Sequence, residues 1–342
     1  MIITRTPLRI SFLGGGTDYP EYFETHGGAV LGTAVDKSAY FSLSRFYSKM
    51  FDYSIRIAYR KVECVNSIED LEHVPFREGL RWAGLTHDIE INHSAELPSC
   101  TGLGSSSSFT VGLLNTAYAF QHRLAHGLDL AYQAIELERN VLNESVGCQD
   151  QTFAAVGGFN LIEFRAMGNF IVHRLPLSPA RMEEFEQHLV VFYTGIRRRA
   201  DELASRQVKK VALNLDRLGR MRRMVDEGYR IITGSGDLAE FGRILHDSWM
   251  AKRSLDGAIS SDLIDTTYDA GIEAGALGGK LLGAGGGGFI AFFVPPERQA
   301  AVRARLAHLQ EVEFRINAPG SAVIHCEAPP QRRQTLSRRE AA

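Results

Sequence analysis

The sequence predicts an α+β protein built from two domains. Residues 1–60 consist of short apolar runs separated by turns, which is the pattern of β-strands, whereas helical spacing of apolar residues begins at Ser105 and returns after residue 200. Strands and helices that follow one another in blocks are typical of the α+β class. The chain of 342 residues is also long enough for two domains of roughly 100–200 residues each.

The individual elements follow from the local patterns. In the first half, strands are expected in RISFLG, GAVLGTAV, AYFSLSRF, IRIAYR and HDIEINHSAEL, helices from Ser105 and over 128–143, and a strand pair in GGFNLIEF and NFIVHRLPL. In the second half, EQHLVVFYTG is expected to be a strand, followed by helices at 200–230, 236–252, 260–275 and 296–309 and by two short strands. The expected first domain is 1–180, the second is 181–328, and 329–342 is a polar tail.

Composition and charge narrow the range of functions. The formal net charge is -2, so no overall field attracts nucleic acid or a membrane surface, and any anion must bind locally. No apolar stretch reaches the ~20 residues of a membrane span. The four cysteines are widely spaced without a metal-ligand pattern, which favours reduced thiols. We expect a cytoplasmic protein that acts on small molecules; the number of subunits is left open.

Three glycine-rich segments stand out, at 12–19, 101–108 and 281–289. In the third, Gly283, Gly285 and Gly288 fit the GxGxxG spacing of dinucleotide-binding proteins. That motif requires a helix directly after it, whereas FIAFFV is typical of a strand, so a dinucleotide-dependent oxidoreductase is disfavoured. Two interpretations remain: a glycine hinge between strands that allows a close approach, and a tight hairpin.

The second segment, TGLGSSSS, has the context that the third lacks, because a predicted strand precedes it and a predicted helix follows. The N–H groups of a helix's first turn have no partners inside the helix, and with the helix dipole they attract an anion. Glycines let a phosphate approach the backbone, and serine hydroxyls cap the helix or bind Mg²⁺. The segment lacks the Gly-Lys-Ser/Thr of a Walker A loop. A phosphate cradle and a capped helix after a flexible loop both fit.

Two acidic residues downstream favour the phosphate cradle. Glu138 lies in the helix predicted over 128–143, and Asp150 lies in the predicted loop GCQDQ. A magnesium–nucleotide site needs carboxylate or hydroxyl oxygens for the metal, and it benefits from a carboxylate that orients the attacking hydroxyl. The sequence therefore predicts a site for phosphoryl transfer.

Together the three segments resemble the motifs of the GHMP kinases, the superfamily of galactokinase, homoserine kinase, mevalonate kinase and phosphomevalonate kinase. PSCTGLGSSSS resembles their nucleotide loop, TPLRISFLGGGTDYP resembles the first motif of the sugar kinases among them, and KLLGAGGGGF resembles the third motif. Residues 9–37 are most similar to the D-glycero-D-manno-heptose 7-phosphate kinases. Gly14, Gly15 and Gly16 stand where galactokinases have Gly-Glu-His, which counts against galactose as the substrate.

The resemblance implies a fold and a reaction. An N-terminal domain similar to ribosomal protein S5 domain 2 would pack on a ferredoxin-like C-terminal domain, with the active site between them. ATP and Mg²⁺ would be the cofactors. The anomeric hydroxyl of heptose 7-phosphate would be phosphorylated to give the 1,7-bisphosphate, for activated heptose and surface polysaccharide. Two alternatives stay open: a kinase of fucose or unphosphorylated heptose, and a sugar- and ATP-binding regulator without catalysis.

The resemblance also implies roles for particular residues. Asp150 matches the catalytic aspartate, and Arg9 matches an arginine that stabilises the charge of the transferring phosphoryl group. Ser106 and Glu138 match the magnesium ligands. The ATP phosphates would be bound by Gly102, Leu103, Gly104, Ser105, Ser106 and Ser107. The sugar phosphate would be contacted by Gly15, Gly16, Thr17, Asp18, Lys37, Arg197, Gly285, Gly286 and Gly287. Lys37 and the arginine run 197–199 are candidates for the second phosphate, although such a run is also common at a solvated helix start.

Overall fold

The computed structural model describes residues 1–197 and 200–327. The strands are β1 (Ile2–Leu13), β2 (Gly28–Arg45), β3 (Ile55–Ala58), β4 (Val62–Val65), β5 (Ile89–Ala95), β6 (Phe159–Arg165), β7 (Asn169–Arg174), β8 (Leu189–Tyr193), β9 (Gly278–Leu281), β10 (Phe289–Phe293), β11 (Gln310–Glu311) and β12 (Ala322–Cys326). The helices are α1 (Pro20–His26), α2 (Val74–Ala83), α3 (Ser105–Phe120), α4 (Gly127–Glu136), α5 (Gln149–Val156), α6 (Pro179–Gln187), α7 (Ala200–Lys209), α8 (Leu215–Thr233), α9 (Ala239–Arg253), α10 (Asp262–Glu273) and α11 (Gln299–Arg305).

Two sheets organise these elements, and the predicted α+β class is confirmed. The larger sheet has eight strands in the order β12-β1-β2-β5-β3-β4, with β6 beside β2 and β7 beside β6. The smaller sheet has the order β11-β8-β10-β9. Strand β12 pairs antiparallel with β1, so the described end of the chain returns to the first sheet. The domain boundaries proposed from the sequence stay a prediction.

The central strand β2 joins two runs that the sequence suggested as separate strands. GAVLGTAV and AYFSLSRF form one strand of 18 residues along β1. The register between the two strands shifts where Arg9 pairs with Ala34 and Pro7 pairs with Ser38. This irregularity places Asp36 and Lys37 in the middle of an otherwise buried strand, so the two polar residues that looked like a break are a bulge.

The helices that support the candidate site lie against the larger sheet. Helix α3 begins at Ser105, as predicted, and residues 107–118 are buried, which explains why it has no charged side chain. The helix predicted over 128–143 ends earlier, at Glu136, and continues as one π-helical turn, Leu137–Val141. The prediction of a loop at Asp150 is wrong: this residue lies in the first turn of α5.

The second half agrees well with the predicted pattern. Helices α7 to α10 occupy the three helical stretches expected between 200 and 275, and the expected helix at 296–309 is the shorter α11. Strand β10 follows the third glycine segment directly. Within the described parts of the chain, no helix is both long and apolar enough to cross a membrane.

An aromatic cluster fills the space between the two sheets. Phe12 of β1 contacts Phe185 of α6 and Phe241 of α9, with ring centroids 5.3 and 5.8 Å apart. Phe293 of β10 contacts both Phe185 and Phe241 at 5.3 Å. All four rings are buried, so this cluster joins β1 of the larger sheet to β10 of the smaller sheet.

A second cluster of rings packs under the first turns of α3. His93 of β5 lies 4.7 Å from Phe41 and 5.0 Å from Phe109, measured between ring centroids. Burial lowers the pKa of His93 from 6.5 to about 4, and the neighbouring His73 opposes its protonation further. The unfolded chain therefore binds a proton at this histidine at higher pH than the folded chain does.

We predict that His93 makes the fold acid-sensitive. The folded state loses stability as the pH falls from 6.5 towards 4, by about 3 kcal/mol, because the unfolded chain takes up the proton first. His93→Gln should flatten the decline of the melting temperature between pH 7 and pH 5, whereas His308→Gln, at an exposed position, should leave the slope unchanged. An unaltered slope in His93→Gln would contradict this assignment.

Candidate active site

The nucleotide loop leads into the first turn of α3, where backbone N–H groups are free to bind a ligand. Gly102 and Gly104 have φ values of 83° and 73°, in the left-handed region that glycine adopts without strain. Gly104 is the N-cap of α3, and its carbonyl accepts the Ser108 N–H at 2.9 Å. The N–H groups in the first turn of α3, before Ser108, have no acceptors inside the helix. The loop therefore offers unpaired donors to an anion. Within the loop, the Ser106 residue is exposed and Ser107 is buried.

A bidentate ion pair links β1 to α5, and the same arginine also contacts the nucleotide loop. Arg9 Nε donates to Asp150 Oδ1 at 2.8 Å, and Arg9 Nη2 donates to Asp150 Oδ2 at 2.6 Å. The third guanidinium nitrogen, Arg9 Nη1, donates to the carbonyl of Gly102 at 2.7 Å. A β-carbon placed on Gly104 would lie 3.4 Å from Asp150 Oδ2, so the carboxylate borders the nucleotide loop. The structure thus brings together the two residues predicted to be catalytic.

Glu138 lies fully buried beside the start of α3. Its Oε2 accepts Ser107 Oγ at 2.9 Å and Gln151 Nε2 at 2.5 Å. Its Oε1 is buried and has no hydrogen-bond partner among the described residues. Burial raises the pKa of Glu138 to about 8. The orphaned oxygen can accept a cation. The hydroxyl that donates to this carboxylate is that of Ser107, and the assignment of Ser106 as a magnesium ligand stays a prediction.

The first glycine segment forms a buried turn held by its own side chains. Thr17 Oγ1 lies 2.8 Å from the carbonyl oxygens of both Gly14 and Ala29, which share its single hydroxyl proton. Asp18 Oδ1 accepts the Gly16 N–H at 2.9 Å, and the Asp18 carbonyl accepts the Cys148 N–H at 3.0 Å.

Asp18 therefore connects the turn to the beginning of α5, since its Oδ2 also accepts the Gln149 N–H at 3.4 Å. Burial raises the pKa of Asp18, and the nearby Asp150 raises it further, whereas the Gly16 N–H and Lys252 act in the opposite direction. The predicted contacts of Thr17 and Asp18 with a sugar stay a prediction.

Two buried lysines reach this region from the second half of the chain. Lys252 Nζ, at the end of α9, donates to the Gly15 carbonyl at 3.1 Å. Lys280 Nζ, on β9, donates to the carbonyls of Ser11 and Phe12 at 2.7 and 3.0 Å. Burial lowers the pKa of both ammonium groups. Sequence reasoning missed both, because nothing local distinguishes a lysine that turns inward from one on the surface.

The third glycine segment packs directly against the nucleotide loop. A β-carbon on Gly283 would lie 2.6 Å from the Gly102 Cα, and the Phe289 N–H donates to the Thr101 carbonyl at 3.2 Å. Gly286 N–H donates to the Ile259 carbonyl at 2.9 Å. The predicted substrate residues Gly285 to Gly287 lie between Ile259 and Ile196. The segment is the hairpin loop between β9 and β10, and its glycines also allow a close approach to the backbone of the nucleotide loop.

The predicted phosphate-binding cations have other partners. Lys37 Nζ pairs with Asp36 at 2.8 Å and lies 5.9 Å from the Phe314 ring centroid. Arg197 Nε donates to Tyr193 Oη at 3.4 Å. No described contact joins either cation to the glycine turn or to Asp150. Residues 198 and 199 lie outside the described residues. A role in binding the sugar phosphate stays a prediction for all of these.

The site as a whole combines a helix start with free N–H groups, an arginine, three carboxylates and two buried ammonium groups. Such a set positions a phosphate chain and neutralises charge, and these are the main demands of phosphoryl transfer. The geometry therefore defines the class of the protein as a phosphotransferase.

Comparison with known proteins agrees with this class. Residues 67–158 match the GHMP kinases N terminal domain, and residues 231–310 match the GHMP kinases C terminal domain. A D-glycero-alpha-D-manno-heptose 7-phosphate kinase of Campylobacter jejuni is 28% identical over 328 residues, covering 92% of this chain and 96% of that protein. An L-fucokinase/L-fucose-1-P guanylyltransferase of Bacteroides fragilis is 27% identical over 88% of this chain, which spans only 35% of that longer protein.

The solved structures give the same fold. The D-glycero-D-manno-heptose 1-phosphate kinase from Bacteroides thetaiotaomicron has a TM-score of 0.79 at 24% identity, over 96% of this chain and 100% of that chain. This chain belongs to the GHMP kinases. The fold predicted from the three motifs is confirmed, and so is the prediction of a sugar-kinase-type phosphotransferase with an alcohol acceptor. ATP is the phosphate donor of this family.

We predict that Asp150→Asn lowers kcat by ~100-fold or more while the KM for ATP changes by less than about twofold. The amide keeps the shape of the side chain but cannot take a proton from the acceptor hydroxyl. Asp129→Asn, an exposed carboxylate in the first turn of α4, is the matched control and should retain full activity. A fully active Asp150→Asn enzyme would remove Asp150 from the chemical step.

Proposed function

We propose that this GHMP kinase transfers the γ-phosphoryl group of ATP to the anomeric hydroxyl of D-glycero-D-manno-heptose 7-phosphate. The product is the 1,7-bisphosphate, and its use is the supply of activated heptose for surface polysaccharide. The similarity to a heptose 7-phosphate kinase along almost the full length of both proteins supports this substrate. The fucokinase similarity covers a smaller share of that relative, so fucose is the second candidate.

The observation on which the substrate depends most is the small first motif. A β-carbon on Gly15 would have its nearest neighbours at 3.6 to 3.7 Å, and one on Gly16 would have them at 3.4 to 4.0 Å. A methyl group at either position would only touch its neighbours, and the glycines leave this volume free where galactokinases have larger acidic and imidazole groups. This room supports an acceptor larger than a hexose.

In the proposed reaction, positioning and charge neutralisation do most of the work. The first-turn amides of α3 bind the phosphates of ATP. Arg9 holds Asp150 by two hydrogen bonds, which fixes the carboxylate beside the nucleotide loop. Asp150 orients the acceptor hydroxyl and takes its proton late in the transfer. The Arg9 guanidinium stabilises the charge that develops on the phosphoryl group.

The residues present also fit a magnesium ion. The buried Oε1 of Glu138 has no partner among the described residues, and the Ser107 hydroxyl donates to the other oxygen of the same carboxylate. Mg²⁺ in nucleotide sites is typically held by one or two carboxylates together with the phosphates, so one such oxygen is sufficient. We propose Glu138 and the hydroxyl of Ser106 or Ser107 as its protein ligands. The ion would supply a charge clamp on the β- and γ-phosphates.

We predict the order of substrates in an ADP-release assay with ATP and Mg²⁺. The value of kcat/KM for heptose 7-phosphate should exceed those for unphosphorylated heptose, fucose and galactose by about 100-fold or more, because a sugar without the phosphate leaves the groups that bind it unpaired. NMR of the product should show a phosphate on the anomeric carbon.

Other outcomes of the same panel have definite meanings. A preference for fucose or unphosphorylated heptose would replace the proposed substrate and retain the kinase. ADP release that no sugar increases would favour a regulator that binds sugar and ATP without catalysis. A phosphate at any other carbon would contradict the anomeric assignment.

We predict that Glu138→Gln raises the Mg²⁺ concentration needed for half-maximal activity by about tenfold or more. The amide is a weaker ligand because it lacks the negative charge. The neighbouring Glu136→Gln, at an exposed position of the same helix, is the control and should titrate like the wild type. Equal Mg²⁺ requirements for both variants would show that Glu138 does not bind the metal.

A further inference from the structure

Three polar side-chain atoms border the position that a β-carbon of residue 15 would occupy, and none of the three side chains has a role in the proposed reaction. A β-carbon placed on Gly15 would have three nearest neighbours, all polar atoms: Gln149 Nε2 at 3.6 Å, Ser11 Oγ at 3.6 Å and Lys252 Nζ at 3.7 Å. These are ordinary contact distances, so the position could hold a group of methyl size without a clash. A glycine here leaves that space open.

Two of the three side chains lack hydrogen-bond partners that buried polar groups normally have. Ser11 Oγ and Gln149 Oε1 are buried, and neither has a partner in residues 1–197 and 200–327. Ser11 and Gln149 are 4% and 9% exposed. Lys252 Nζ has three N–H donors, and one of them is directed to the Gly15 carbonyl. Leaving buried polar groups unpaired costs about 1–3 kcal/mol each, which favours a ligand that pairs them.

The chemistry of these groups defines the ligand. A serine hydroxyl, a primary amide and an ammonium together offer donors and acceptors to one small neutral group, and a hydroxyl is such a group. The space lies beside the catalytic candidates, because Gln149 directly precedes Asp150 in α5 and Asp18 accepts the Gln149 N–H. The ammonium is contributed by α9, far along the chain, so the space is complete only when the two halves are packed together.

We propose that Ser11, Gln149 and Lys252 form a subsite that binds a hydroxyl group of the sugar acceptor against Gly15. This inference rests on the proposed function in one respect, namely that the acceptor is a polyhydroxylated sugar. Glycine at position 15 keeps the approach to these three side chains free of a methyl group.

The most direct test adds a methyl group at position 15 without disturbing the fold. Gly15 does not have the positive φ of its neighbours Gly14 and Gly16, so Gly15→Ala fits the backbone as well as the space. We expect its KM for the acceptor to rise by about tenfold or more, with the KM for ATP within about twofold of the wild type and an unchanged melting temperature. Gly236→Ala, which adds a methyl group at an open position, is the matched control.

A second variant examines the ammonium. Lys252→Met should raise the acceptor KM in the same selective way, whereas Arg253→Met, the next residue of α9 whose side chain pairs with Asp265, should not. A purely structural Lys252 would lower the melting temperature and reduce kcat without separating the two KM values. If Lys252→Met fails to fold, Gly15→Ala decides alone, and an unchanged acceptor KM in Gly15→Ala overturns the subsite.

Failure of the proposed function is recognised separately. The wild-type substrate panel decides which sugar is used, and the ratio of variant to wild-type KM is then measured with that sugar. A different preferred sugar refutes heptose 7-phosphate and still tests the subsite. Isothermal titration of the same sugars without ATP provides binding constants independent of turnover, and a wild type that binds none of them overturns both proposals.

Discussion

The site depends above all on the ion pair between Arg9 and Asp150. The guanidinium uses all three nitrogens, two on the carboxylate and one on the Gly102 carbonyl. This fork geometry is specific to arginine and fixes two planar groups relative to each other. One interaction thereby sets the position of β1, of the nucleotide loop and of α5. The backbone reinforces it, since the Arg9 N–H donates to the Leu103 carbonyl at 3.1 Å.

This arrangement places several ionisable groups in the protein interior, where burial opposes their ionisation. Burial raises the pKa of Asp18 and lowers the pKa of Lys252 and Lys280, so each group alone would resist ionisation. Buried ion pairs seldom add net stability, because desolvation offsets much of their attraction. Backbone carbonyls of the first motif accept one N–H group of Lys252 and two of Lys280. A site that tolerates such a cost is more easily explained by ligand binding than by folding.

Local sequence patterns predicted the parts of the site that lie close together in the chain. The start of α3 at Ser105 followed from the glycine-serine segment and the apolar spacing after it, and strand β10 after Gly288 followed from its aromatic and β-branched residues. Asp150 was found but placed in a loop, because α5 is only eight residues long and begins with polar side chains. The bulge at Asp36 and Lys37 made one strand look like two.

The rest required tertiary structure. Lys252 meets Gly15 across 237 positions of sequence, and Lys280 meets Ser11 across 269. Nothing within a window of a helix or a strand indicates such a contact, because the direction of a lysine is decided by what packs against it. The hydrogen bond between Glu138 and Ser107 also depends on tertiary structure. The rotation of α3 relative to the π-helical turn decides which serine faces the carboxylate. Sequence patterns identify candidates, and packing selects among neighbours.

The glycines of the three motifs have a common physical purpose, which is the approach of one backbone to another. At Gly102 a β-carbon would lie 2.3 Å from the Leu282 carbonyl oxygen, and at Gly288 it would lie 2.2 Å from the Thr101 carbonyl oxygen. Any larger residue would push the nucleotide loop and the third segment apart. Gly15 differs from these, because its β-carbon position is bordered by polar side-chain atoms at contact distance and not by backbone. The glycines that close the site and the glycine that leaves it open are thus distinguished by their neighbours. A motif written only as a run of glycines hides that difference.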